Sequence, residues 1–319
     1  MNRDGETFFD AVYFSPHKFL GGPGSSGILI IHDRIYRADL PPTVGAGGTV
    51  EFVNFDGQSY VPDIEERERA GTPGILQTLR AALAMELKER LDPQRIAARE
   101  RQLAQLALGK LSDHRGVELM GKGSPDHRLP IFSFTVRVGS SWLHPRFVTV
   151  LLNDLFGIQS RAGCSCAAPY GHRLLGIDED KSRRIEKTIM GGKVGLKPGW
   201  TRVNFHFLHT DAEVAFICSA IRFVADHGAA FLPLYEFDIH SGAWRHREFA
   251  PKVDAFGIDF GHDDASEEAP ARQDLDALFA EYLAEAARLA ESFGRQFSDH
   301  RLETTERDLI PFLYSRAGP

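Results

Sequence analysis

Only three cysteines occur in the 319 residues: Cys164, Cys166 and Cys218. Three thiols cannot build a disulfide framework, and so few suit a reducing compartment, so a cytoplasmic location is expected. Long hydrophobic runs are also missing. No stretch of about 18 apolar residues is evident, so no membrane span is expected. Residues 1–10 are polar and acidic, without the apolar core of a secretory signal. Excess positive charge is absent too. The formal net charge is −7, and a mildly acidic chain does not attract nucleic acid through bulk electrostatics. There are no internal repeats and no long low-complexity tract.

What is present is ordinary globular material. Hydrophobic residues make up 43% and charged residues 25%, enough for a sizeable core. The length fits about two domains. Residues 10–15 (DAVYFS) are short, apolar and aromatic and read as a buried strand, and 27–32 (GILIIH) as the next strand. Between them lie Pro16-His17-Lys18-Phe19-Leu20 and the turn-rich 21–26. The pair reads as a hairpin with a lysine at its bend. A second glycine loop covers 41–49.

Leu76, Leu79, Leu83 and Leu87 recur at the spacing of a helical apolar stripe, after a Gly71-Thr72-Pro73-Gly74 start signal. Pro93 opens another helix to about Leu111, and 113–128 has the texture of a loop. Phe132, Phe134, Val136 and Val138 alternate as in a half-buried strand. Helices are predicted over 144–156, over 211–227 with Asp211 as N-cap, and over 275–293. Short strands are predicted over 157–161 and 201–207. Residues 254–270 read as an acidic loop or linker.

A lysine placed between a buried strand and a tight turn can serve as an amine nucleophile once partly desolvated. Ser15 and His17 add a hydroxyl and an imidazole able to reach a phosphate, and glycines let the backbone approach closely. The segment is not a P-loop, because no GxxxxGK[ST] is present. Nor is it a Rossmann turn, because its glycines precede a strand rather than a helix. Taken singly, Lys18 is one surface lysine among many and Thr72 an N-cap. Arg202 is a strand-end charge, and Cys164-x-Cys166 is packing or part of a metal site.

The string SPHKFLGGPGSSGILII at 15–31 resembles the signature of class V aminotransferases, which are pyridoxal-phosphate (PLP) enzymes. The similarity continues in order through about residue 230. GAGGTVEFV at 45–53 resembles the family's glycine-rich segment, and ERAGTPGILQTLRAAL at 68–83 its E-x-G-T-P loop and following helix. RAGCSCAAPYG at 161–171 resembles the cysteine loop of the family's desulfurases, and TRVNFHFLHTDAEV at 201–214 the last core strand and helix.

The resemblance implies Lys18 as the Schiff-base lysine, with Ser15 and His17 as further cofactor contacts. Thr72 would reach the cofactor phosphate of the partner subunit in a homodimer. Arg202, with Arg161, would hold the substrate carboxylate, and Cys166 would be the sulfur-accepting thiol. Cys164 stands where those relatives often have histidine, which is a departure. No metal is expected, since a zinc site usually takes four ligands and only Cys218 remains beyond the pair.

The implied fold is α/β, of PLP-dependent transferase fold type I, in truncated form. Residues 1–92 would be the end of the large cofactor domain and 93–240 the small domain. Residues 241–319 form an extension ending in a helix, with no assigned function. The family places its pyridine-nitrogen acid and its ring-stacking residue before the lysine, yet only 17 residues precede Lys18. Either the gene is therefore split or truncated, or the sequence is a fragment, or the remainder comes from a separate chain. The implied function is a PLP-dependent enzyme acting on an amino acid, most nearly a cysteine desulfurase. A transaminase, lyase or epimerase of the same family, and a non-catalytic remnant or assembly subunit, are the alternatives.

Overall fold

Apolar and aromatic residues around a glycine-rich bend produce the first hairpin. β1 (Ala11–Phe14) pairs antiparallel with β2 (Ile28–Ile31), Ala11 opposite Ile31 and Phe14 opposite Ile28. The computed structural model describes residues 8–121, 123–164, 168–249, 272–293, 309 and 312–313. They form two compact units, residues 1–97 and 98–319.

In the first unit a second hairpin follows, β3 (Val50–Val53) with β4 (Gln58–Tyr60). The Asn54 side chain closes its turn by accepting from the backbone N–H groups of Asp56 and Gly57. α1 (Ile64–Arg67) is capped by Asp63, which accepts from the Glu66 N–H. α2 (Ile75–Arg90) buries Ala81 and Ala84. Its leucine stripe faces the other way: Leu76, Leu79 and Leu83 are exposed. α3 (Pro93–Leu111) has proline at its first position, where a missing N–H costs nothing, and carries the chain into the second unit.

The second unit begins with β5 (Val117–Leu119), inside the segment expected to be loop. β6 (Ile131–Val138) and β7 (Ser141–Leu143) form a hairpin, and α4 (Pro145–Phe156) follows. Gly157 ends α4 in a left-handed conformation (φ 66°), its N–H bonded to the Asn153 carbonyl and that of Ile158 to Leu152. The strand expected over 157–161 therefore starts only at its last residue, as β8 (Arg161–Gly163). α5 (Ala168–Leu174), α6 (Glu179–Met190) and β9 (Trp200–Asn204) come next.

α7 (Asp211–His227) is capped by Thr210 rather than Asp211. Thr210 and Glu213 form a reciprocal capping box, a pattern present in the sequence as T-x-x-E. With the 3-10 turn after it, Asp211–Leu234 is long and apolar enough to cross a membrane by composition, but 56% of its apolar window is buried in this unit. β10 (Tyr235–Phe237) and β11 (Trp244–His246) form a small hairpin, α8 (Arg272–Phe293) follows, and β12 (Phe312–Leu313) is the last strand.

The main sheet has the order β12-β7-β6-β9-β8, with β5 also on β6. Every pairing is antiparallel except β12 on β7. One face of β6 presents Phe132, Phe134 and Val136, all buried, to a core completed by Phe147 and Leu151 of α4 and by Ile221 and Val224 of α7. Removing either phenylalanine side chain would cost about 3–5 kcal/mol. The C-terminal region contributes to the same core. Ala286, Ala290 and Leu313 are buried in it, and Phe279 of α8 stacks on Phe216 of α7 with ring centroids 4.2 Å apart.

His144 sits at the N-terminus of α4, 4% exposed. Nε2 lies 3.0 Å from the Gly195 carbonyl and Nδ1 accepts from the Arg146 N–H. Both bonds suit the neutral ring with its proton on Nε2. Burial pushes its pKa down from 6.5 to about 4. A folded state that resists protonation loses stability as the unfolded state takes up the proton. Stability should therefore fall between about pH 6.5 and pH 4, by up to about 3 kcal/mol at ~1.4 kcal/mol per unit. Urea unfolding at pH 7.5 and pH 4.5 should show a larger loss for the wild type than for His144→Asn, which keeps a capping side chain but does not titrate. Equal losses would remove His144 as the cause.

Candidate active site

Residues 16–18 form one 3-10 turn that leaves β1. The Lys18 N–H bonds the Ser15 carbonyl at 3.3 Å, and the Phe19 N–H bonds that of Pro16 at 2.8 Å. Pro16 is buried, whereas Ser15, His17 and Lys18 are exposed. The turn is thus anchored by its backbone and its proline, leaving hydroxyl, imidazole and amine within four residues of each other. Gly22 is required by space: a Cβ there would lie 1.9 Å from the Pro16 carbonyl oxygen.

α2 holds the same loop from outside. The Gln77 carbonyl accepts from the Ser26 N–H at 3.2 Å, Arg80 Nη1 donates to the Pro23 carbonyl at 2.8 Å, and Lys88 Nζ lies 4.7 Å from the Phe19 ring centroid.

The second glycine loop packs on the segment that leads into α2. Thr49 is fully buried, and its hydroxyl donates to the Ala46 carbonyl at 2.7 Å. The Gly71 N–H reaches the Gly47 carbonyl at 2.9 Å. Thr72 follows, exposed, and the N-cap of α2 is Gly74. The capping reading of Thr72 therefore fails.

A further contact had no signal in the sequence because its members are 32 residues apart. The Tyr36 hydroxyl donates to Glu68 at 2.7 Å, and the Thr43 N–H donates to the same carboxylate at 3.1 Å. The tyrosine bond holds the Glu68 carboxyl below its usual range and raises the Tyr36 phenol above its own. Beside them, Arg67 donates to the carbonyls of Ala38 and Leu40. Together these bonds tie residues 36–43 to α1.

The second unit holds the arginines. Arg161 on β8 is directly opposite Arg202 on β9, and Arg202 is also opposite Ser133 on β6. Opposed residues of antiparallel strands share a face. Phe132 and Phe134 oppose Val203 and Thr201, so the arginines occupy the face turned away from α4 and α7. A carboxylate can accept two parallel N–H bonds from a guanidinium fork, which is the chemistry an arginine on this face can offer.

Cys164 comes directly after β8 and is half-buried. Cys166 lies outside the described residues. Cys218 faces the core from α7, where burial pushes its thiol up to about 12, so it is held in the unreactive form. Among the described residues, no group of three or more His, Cys, Asp or Glu could hold a metal ion.

The family model described as Aminotransferase class-V matches residues 6–215, a span covering both the lysine turn and the arginine pair. The chain belongs to that family. A probable cysteine desulfurase of Streptomyces coelicolor is 27% identical over 215 residues, 67% of this chain and 44% of the relative. A probable cysteine desulfurase of Mycobacterium leprae is 30% identical over 164 residues, 51% of this chain and 37% of the relative. An apo cysteine desulfurase of Thermococcus onnurineus superposes with a TM-score of 0.54 at 27% identity, over 68% of this chain and 47% of that one. A cysteine desulfurase of Escherichia coli gives 0.51 at 25% identity, over 66% and 45%. This class-V chain thus spans about half the length, or less, of the relatives it matches. Its fold is the corresponding part of PLP-dependent transferase fold type I.

The lysine turn of this family member has the donor set that a phosphorylated aldehyde calls for. One amine stands beside a hydroxyl and an imidazole on a backbone fixed by Gly22. Gly22→Ala should therefore displace the turn at a cost of about 1–3 kcal/mol, the usual range for overpacking. Gly27→Ala, whose Cβ would meet nothing closer than 3.9 Å, should be tolerated. Hydrogen exchange of residues 10–31 should rise in the first variant only, with the amides of β6 and β9 unchanged in both.

Proposed function

We propose that this class-V chain carries the lysine turn, carboxylate-binding arginines and cysteine loop of a PLP-dependent enzyme acting on an amino acid, of cysteine-desulfurase type. The reading rests most on the register of β8 against β9, which sets Arg161 across from Arg202 and starts the cysteine loop at the end of the same strand.

Lys18, Ser15 and His17 would hold the cofactor, and PLP when bound supplies an electron sink for negative charge at the substrate α-carbon. The Lys18 amine takes and returns the proton at that carbon. Arg202, helped by Arg161, binds the carboxylate and so fixes which bond of the substrate is presented. The Cys166 thiolate would attack the substrate sulfur: an S–S bond forms, the C–S bond breaks with its electron pair passing to the substrate carbon, that carbon takes up a proton so that cysteine leaves as alanine, and Cys166 is left as a persulfide. The guanidinium of Arg161, five residues earlier, favours the thiolate. The resemblance extends this reading to a cytoplasmic homodimer in which Thr72 serves the cofactor phosphate of the partner subunit.

The test uses the whole enzyme with cysteine as substrate. Borohydride reduction followed by peptide mapping should fix PLP on Lys18, and attachment to another lysine would overturn the assignment. Sulfide release should survive Cys164→Ser and vanish in Cys166→Ser. Full activity in both would make the loop structural, and transamination without sulfur release would move the enzyme to the transaminase reading. Arg202→Lys, which keeps the charge and loses the fork, should lower kcat/KM by roughly 10- to 100-fold through loss of one charged hydrogen bond.

A further inference from the structure

A cavity of about 230 Å³ lies in the second unit, between the sheet face that carries Thr135 of β6 and Trp142 of β7 and the helices α5 and α6. None of Ser15, His17, Lys18, Thr72, Arg161 or Arg202 lines it. Cys164 lines an adjoining groove that shares Leu175, Ile185, Lys197 and Pro198 with the cavity. The deep walls are apolar and closed to solvent: Leu143, Ile185, Leu196, Leu309 and Phe312 line the cavity, and all are buried. Two of these, Leu309 and Phe312, belong to the C-terminal region beyond the part matched by the family.

The polar groups are few and unequal in sign. Lys181 is half-buried and Lys197 exposed, so both mark the side open to water, and neither has a carboxylate partner among the described residues. Glu118, the one carboxylate on the lining among the described residues, is already satisfied. It accepts from Trp142 Nε1 at 2.8 Å, from Arg137 Nε at 2.6 Å and from the Thr135 hydroxyl at 3.2 Å. The opening therefore carries net positive charge above an apolar interior, a layout typical of small-molecule sites with a few orienting polar groups.

We propose that this cavity binds an apolar monocarboxylic acid, its hydrocarbon part between the sheet and α5–α6 and its carboxylate at Lys181 and Lys197. A dry apolar cavity of about 150 Å³ accepts a benzene ring, and at ~30 Å³ per small group the space here takes a chain of roughly eight carbons. Charge decides between a carboxylic acid and a neutral lipid-like molecule. An alcohol of the same length would leave both ammonium groups without an anion.

The experiment titrates the full chain with octanoate, 1-octanol and butyrate by calorimetry, with Trp142 fluorescence as a local reporter. Octanoate should bind saturably at one site and change the emission, and this change should disappear in Trp142→Phe. 1-Octanol and butyrate should each bind at least about ten-fold more weakly, since one lacks the charge–charge contact and the other most of the buried chain. The double variant Lys181→Ala, Lys197→Ala should lose about ten-fold in octanoate affinity and none for 1-octanol. Leu174→Phe should fill the cavity and abolish binding, and if it lowers the thermal midpoint, Ile177→Phe serves instead. Absence of saturable octanoate binding, equal affinity for 1-octanol, or affinity unchanged by both the lysine and the filling variants would each overturn the proposal.

Discussion

In the second unit β9 runs between β6 and β8, and its side chains alternate between the face on α4 and α7 and the opposite face. Val203 and Thr201 oppose Phe132 and Phe134 on the side of α4 and α7, while Arg202 opposes Arg161 on the other. A slip of one residue would drive Arg202 into the core and bring Val203 out. Burial of the phenylalanines therefore sets the register, and the register sets the arginine pair. Two local contacts lock it. The Thr201 hydroxyl donates to the Pro145 carbonyl at 3.0 Å, and Gly199 approaches Gly163 so closely that a Cβ would lie 2.7 Å from its Cα. On that opposite face, Trp200 packs beneath Gly171 of α5, where a side chain would meet the indole at 3.0 Å.

The rest of this unit follows from covering that sheet. α4 and α7 shield one face, and α8 adds a layer beyond them through the Phe216–Phe279 stack. β12 pairs parallel with β7 and so covers an edge that would otherwise present unpaired backbone groups. Phe312 on β12 meets His144 edge to face with centroids 4.6 Å apart, so the C-terminal region also seals the buried histidine. The first unit uses a different logic. Its lysine turn depends on one glycine too close to a carbonyl for any side chain and on α2 lying along the loop. Leu76, Leu79 and Leu83 of α2 remain exposed, so this helix is held by Ala81 and Ala84, by half-buried Leu87 beside Gly21 and by polar contacts to the loop.

Elements with a strong period or a strong breaker were legible in the chain. α3 begins at Pro93 as its proline signals, β6 follows its apolar alternation, and the strand–lysine–glycine–strand order yields the first hairpin. Short elements were not. β5 has three residues and forms only because β6 offers it an edge, and β12 has two. α6, polar along most of its length, gave no apolar stripe to read. At two boundaries a local bond outweighed the general pattern: the Gly157 turn delayed the strand expected from 157, and the Thr210–Glu213 box made Thr210 rather than Asp211 the cap of α7, whose range is as expected.

The candidate site divides in the same way. Sequence by itself determined which groups are available: Lys18 on a turn with Ser15 and His17, Thr72 before a helix, two arginines and a cysteine loop. These are local facts, carried by residues a few positions apart. Only the tertiary structure decided that Arg161 and Arg202, 41 positions apart, stand opposite each other, and that Cys218 is closed off while Cys164 is not. It also decided that Leu76, Leu79 and Leu83 of α2 face outward and that an apolar cavity opens beside two lysines. The reason is physical. A hydrogen-bonded turn closes within its own residues, whereas strand register and side-chain burial are settled by whatever the sheet and its covering helices exclude from water.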